Sequence, residues 1–124
     1  MDIDWVRRYC MALPRTTEQV QWGHDLIFKI GGKMYAAVPL EPERVCLSFK
    51  TTPEEFAELC ERPGVFPAPY AANAKWVALE SWDALNVAEM KRLLKQSYDL
   101  VFAKLPKKLQ AELAPPASTT PRRA

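Results

Sequence analysis

Histidine appears once in this sequence, glycine four times, and cysteine three times without a close pair. Each scarcity excludes a chemistry. A Ser-His-Asp set or a histidine metal site would rest on His24 alone, and its setting, Trp22-Gly23-His24-Asp25, reads as a turn before a strand. No glycine lies in a GxxxxGK, GxGxxG or GxSxG run, so phosphate-cradling loops and a nucleophile elbow are missing. Cys10, Cys46 and Cys60 lack the paired spacing of zinc and redox sites and read as small core residues in a reducing compartment. No apolar run approaches the roughly 18 residues that a membrane helix needs. Asp2 and Asp4 stand where a secretory leader would carry basic and then apolar residues. The expectation is a cytoplasmic protein with no membrane contact, no cofactor, no metal and no enzymatic activity.

What is present is an ordinary globular composition, 48% apolar and 26% charged over 124 residues. That length suits one domain able to bury a core without disulfides or metal. The net charge of +2 hides an asymmetry. Residues 91–124 carry eight basic and two acidic side chains, a net +6, while residues 1–90 carry nine and thirteen, a net −4. A basic end permits contact with a polyanion, although a solvated helix face and a solubilising tail account for it equally.

Apolar spacing and caps outline the elements. Asp2 suits an N-cap, and Ile3, Val6, Cys10 and Leu13 recur at helical intervals before Pro14. Residues 16–21 could form a short strand. Leu26–Ile30 and Lys33–Val38 flank Gly31-Gly32, a hairpin signal because tight two-residue turns need positive φ. Val45–Lys50 is a third strand. Thr52, Pro53 and Glu55 mark a second helix, running to about Glu61. Pro67 and Pro69 confine any strand in 65–70 to an edge, and Lys75–Glu80 is the last strand. Asn86 and Glu89 open the longest helix, striped by Val87, Met90, Leu94, Tyr98 and Val101 and widened by Leu93 and Leu100. It pauses at Leu105-Pro106 and restarts for a turn. Residues 1–113 form the domain, and the proline-rich segment 114–124 is expected to be a disordered tail. This order predicts an α+β two-layer sandwich, an antiparallel sheet with helices packed on one face.

Strict alternation along those strands sends Leu26, Phe28, Ile30, Met34, Ala36, Val38, Val45, Leu47, Phe49, Val77 and Leu79 to the core. It leaves Lys29, Lys33, Tyr35, Ser48, Lys50 and Trp76 on the other face. Lysines interleaved with aromatics can hold phosphates and stack on bases. The plainer account is the solvated side of an antiparallel sheet.

Several runs resemble the MmcQ/YjbR family: Trp22-Gly23-His24 with Phe28-Lys29, Gly32-Lys33-Met34 and Ala36; Ser48-Phe49-Lys50 with Pro53-Glu54-Glu55-Phe56; Ala68-Pro69-Tyr70 with Lys75-Trp76-Val77; and Leu94, Ser97-Tyr98, Val101 and Lys104-Leu105-Pro106-Lys107. The resemblance spans residues 1–113. It implies a CyaY-like fold, shared with frataxins, and a DNA-binding protein of "double wing" type. The Gly31-Gly32 hairpin is the candidate first wing, and the second cannot be placed. Frataxin-like iron handling would need an acidic first helix, whereas Asp2 and Asp4 here are offset by Arg7 and Arg8.

Two functional expectations follow. In the first, DNA is bound with weak sequence specificity: Lys29, Lys33, Lys50 and Lys75 contact phosphate, Tyr35 and Trp76 stack, and Lys104, Lys107 and Lys108 extend the patch. In the second, the chain is an adaptor for a protein or small ligand, anchored by Trp22, Tyr70 and Trp76 in a groove. The oligomeric state is not legible.

Overall fold

A computed structural model describes residues 1–41, 44–69 and 72–113. Tyr70 and the segment 114–124 lie outside the described residues. Helix α1 spans Ile3–Met11, and the Asp2 carboxylate caps it by accepting from the Trp5 N–H at 2.9 Å. Strands β1 (Thr17–Gln21), β2 (Asp25–Ile30), β3 (Lys33–Pro39) and β4 (Leu47–Lys50) follow. Helix α2 (Pro53–Leu59) starts as its signals required, with the Thr52 hydroxyl accepting from the Glu55 N–H at 3.1 Å and Pro53 in the first turn. Strand β5 (Val65–Pro67), a short 3₁₀ turn (Ala72–Ala74) and β6 (Trp76–Leu79) lead to the 17-residue helix α3 (Val87–Ala103), and a last helix, α4, spans Lys107–Leu113. At the start of α3, Asn86 and Glu89 satisfy each other's backbone N–H groups in a capping box.

The six strands form one antiparallel sheet in the order β1-β2-β3-β4-β6-β5. The helices supply Val6, Cys10, Leu59, Met90, Leu93, Leu94, Tyr98 and Val101 to a single core against Leu26, Phe28, Ile30, Val38, Leu47, Phe49, Val77 and Leu79. This is the expected α+β sandwich with helices on one face. The proline-bearing β5 lies at the sheet edge, where a missing N–H costs least. The other edge is β1.

Side-chain facing departs from strict alternation in β3. Phe28 pairs with Ala36, but Lys29 pairs with Met34, so Tyr35 is an extra residue without an opposite number. This β-bulge turns Tyr35 inward and Met34 outward, the reverse of the expected assignment. Tyr35 is fully buried; its hydroxyl lies 2.8 Å from the Thr16 hydroxyl and donates to the Cys10 carbonyl at 3.3 Å, and its ring meets Tyr98 edge-on. Val45 likewise joins the opposite face, while its neighbour Cys46 packs on the main core. Val87, expected in the α3 stripe, is exposed.

A bulge leaves backbone groups without ladder partners, and α3 supplies one. The fully buried Ser97 hydroxyl donates to the Tyr35 carbonyl at 2.6 Å and accepts from the Lys50 N–H at 3.0 Å. One side chain thereby joins the bulge, the end of β4 and the middle of α3. A Ser97→Ala variant leaves a buried carbonyl and an N–H unpaired, and should lose about 1–3 kcal/mol of unfolding free energy in urea titration. An unchanged midpoint would mean that the bulge stands without this bridge.

Candidate anion-binding site

Antiparallel pairing brings the β2–β3 turn, the end of β4, the start of β6 and the start of β1 to one end of the sheet. The C-terminal turn of α3 and helix α4 close over that end. Gly31 makes this approach possible: it has φ 61°, and a Cβ there would stand 2.6 Å from a Leu105 methyl. Leu105 and Leu113 both lie against this turn.

Between these pieces lies a cavity of about 350 Å³ lined by Lys33, Met34, Lys50, Trp76, Val101, Lys104 and Leu105. Its surface is mainly apolar, and three of the seven residues lining it are lysines. Lys50 Nζ donates to the Ala74 carbonyl at 2.8 Å, which fixes its position and leaves two N–H donors over. Burial, and secondarily the nearby Lys104 charge, hold the Lys50 ammonium below the usual lysine range. Among the described residues, Lys33, Lys50 and Lys104 have no ion pair, whereas Arg7, Arg62, Arg92 and Lys95 are matched by Glu18, Glu89, Glu55 and Asp99.

The other predicted residues divide. Lys29 is at the same end but bonds Gln19 Oε1 at 2.9 Å. Lys75, in a left-handed conformation at φ 64°, sends its ammonium over the Phe56 ring at 5.1 Å, toward α2 rather than into the cavity. Lys107 and Lys108 are exposed on the first turn of α4. Neither aromatic is a free stacking platform. Tyr35 is core, for the reason above. Trp76 is only 6% exposed, packed with Ala68, Ala78, Met34, Val45 and Phe66 in a second, small cluster on the far face of the sheet. Val101 and Leu105 help to wall the cavity. The sequence marks them only as helix stripe and helix end, because nothing local reveals where a helix terminus docks.

The β2–β3 hairpin, the candidate first wing, is not at a sheet edge. It lies inside the sheet, flanked by β1 and β4, with its turn covered by Leu105 and Leu113. The anchors of an adaptor groove are also dispersed: Trp22, 61% exposed, follows β1 at the opposite end of the sheet from Trp76. Burial raises all three thiols, that of Cys10 to about 12 and that of Cys46 to about 11, so the thiolate nucleophile is scarce. His24 Nδ1 lies 3.1 Å from Asp25 Oδ1 on an exposed turn.

The Lys50–Lys104 proximity is open to direct measurement. In a Lys104→Gln variant the Lys50 ammonium should titrate higher, read by NMR of its Cε and Nζ. It should stay below the ordinary 10.5, since burial is the larger cause. An unmoved titration would separate the two lysines.

Residues 11–100 match the YjbR family. A crystal structure of a Deinococcus radiodurans protein with the domain DUF419 is similar at 28% identity and TM-score 0.82, covering 90% of this chain and 87% of that one. A Pseudomonas syringae protein structure shares the fold at 22% identity and TM-score 0.67, over 82% of this chain and 99% of that one. No curated protein matches the chain significantly. No helix among the described residues is long and apolar enough to cross a membrane. The sequence match and the shared six-stranded fold agree: the chain belongs to the YjbR family.

Proposed function

We propose that this domain is a non-enzymatic module that binds DNA through the phosphate backbone, with its basic sheet end as the contact surface. The supporting observation is the gathering of Lys33, Lys50 and Lys104 at one cavity without acidic partners among the described residues. Lys29, Lys107 and Lys108 lie around the same end and widen the positive field. With Tyr35 and Trp76 buried, base stacking is not part of this reading. Contacts to phosphate carry no base information, so affinity should be salt-sensitive and nearly independent of sequence.

Fluorescence anisotropy with labelled single- and double-stranded oligonucleotides at two salt concentrations provides the test. Binding should weaken steeply with salt. Charge reversal at Lys33 and Lys104 together should lower affinity and flatten the logarithmic salt dependence by about 0.7–0.9 in slope for each phosphate no longer neutralised. Equal slopes for the variant and the parent would remove these lysines from the interface. Absence of binding at low salt would remove the DNA reading altogether.

A further inference from the structure

A phosphate backbone crossing a surface needs charge but has no use for an apolar hollow. The hollow here opens to solvent: Met34, Trp76, Val101 and Leu105 wall it, and Lys33, Lys50 and Lys104 complete its lining. About 350 Å³ lies at the small end of the range of cavities that enclose an organic ligand. It would otherwise hold on the order of ten waters against walls with few polar groups.

We propose that this cavity is a binding site for a compact organic phosphate, an apolar or aromatic body carrying one phosphate monoester. The assignment goes beyond the backbone-binding reading and does not need it. The body would rest on Met34, Trp76, Val101 and Leu105, and the dianion would meet the lysines at the mouth. Three features favour a dianion over a neutral ligand. Lys50 and Lys104 are close enough for one charge to disfavour the other, a repulsion that a bound anion relieves. The Lys50 ammonium is held by the Ala74 carbonyl at 2.8 Å with donors to spare, so it is ordered before any ligand arrives. Acids stand opposite four other cations of this protein, yet none among the described residues pairs with these three.

The phosphate could belong to a free metabolite-sized molecule or to the terminal nucleotide of a strand. Both present the same chemistry to the cavity, and the test separates them. Titrations of the full chain by calorimetry and methyl NMR would use 1-naphthyl phosphate, 1-naphthol and inorganic phosphate as probes. The proposal expects 1-naphthyl phosphate to bind about tenfold or more tightly than either half alone, about 1.4 kcal/mol by the affinity relation. The Met34, Val101 and Leu105 methyl signals should shift together. Lys104→Gln, at an exposed position, and Met34→Trp, which fills the hollow, should each reduce that affinity several-fold while circular dichroism shows a folded domain.

Equal affinity for inorganic and naphthyl phosphate, or unmoved methyl signals, would overturn the proposal. Oligonucleotide binding without naphthyl phosphate binding would sink this inference and leave the backbone reading standing. The reverse result would sink the backbone reading alone. A 5′-phosphorylated oligonucleotide that outcompetes its 5′-hydroxyl form for the cavity would assign the site to strand ends, and equal competition would assign it to free phosphates.

Discussion

The Ser97 hydroxyl organises much of this domain. It sits at the middle of α3, donates to the carbonyl of the bulged Tyr35 and accepts from the N–H of Lys50. A β-bulge disrupts its ladder, and a helix packed on a sheet can slide unless a directional bond fixes it. A single buried hydroxyl answers both requirements, because it can donate and accept at once. The consequences reach well beyond Ser97. The bulge sends Tyr35 into the core, where it meets Thr16, Cys10 and Tyr98, and sends Met34 to the cavity wall. Registering α3 on β3 and β4 also decides where its last turn ends, and hence where Val101, Lys104 and Leu105 stand.

The charges are sorted by place. Four cations of the helices and their connections face acids: Arg62 with Glu89, Arg92 with Glu55, Lys95 with Asp99, and Arg7 with Glu18 on the edge strand. Surface pairs of this kind add little stability individually, but they neutralise the surface they cover. At the end of the sheet bearing the Gly31-Gly32 turn, lysines collect without such matching. Of Lys33, Lys50 and Lys104 only Lys50 is partly buried, and a like charge near a partly buried ammonium disfavours its charged form.

Much of the architecture was legible because it rests on local rules. The Asp2, Thr52 and Asn86 caps, the Gly31-Gly32 turn and the prolines of the edge segment each depend on a few neighbouring residues, and each appears where its chemistry required. The candidate site was legible only in part. Lys33, Lys50, Trp76 and Lys104 do meet, but Tyr35 leaves the group, Lys75 turns toward Phe56, and Trp76 serves as a wall instead of an exposed platform. Alternation arguments fail wherever a strand gains an extra residue, since one insertion reverses every facing beyond it.

By itself, the sequence determined the kind of elements, their order, the one-sided layering of helices on an antiparallel sheet and the family. These follow from periodicity, capping and turn chemistry, all of which act over a few residues. Only the tertiary structure decided that Tyr35 is core, that the hairpin is an inner part of the sheet, and that three lysines distant in sequence share one hollow. Those outcomes depend on the bulge register and on the docking of Leu105 against Gly31, contacts between residues far apart in the chain that no local pattern encodes.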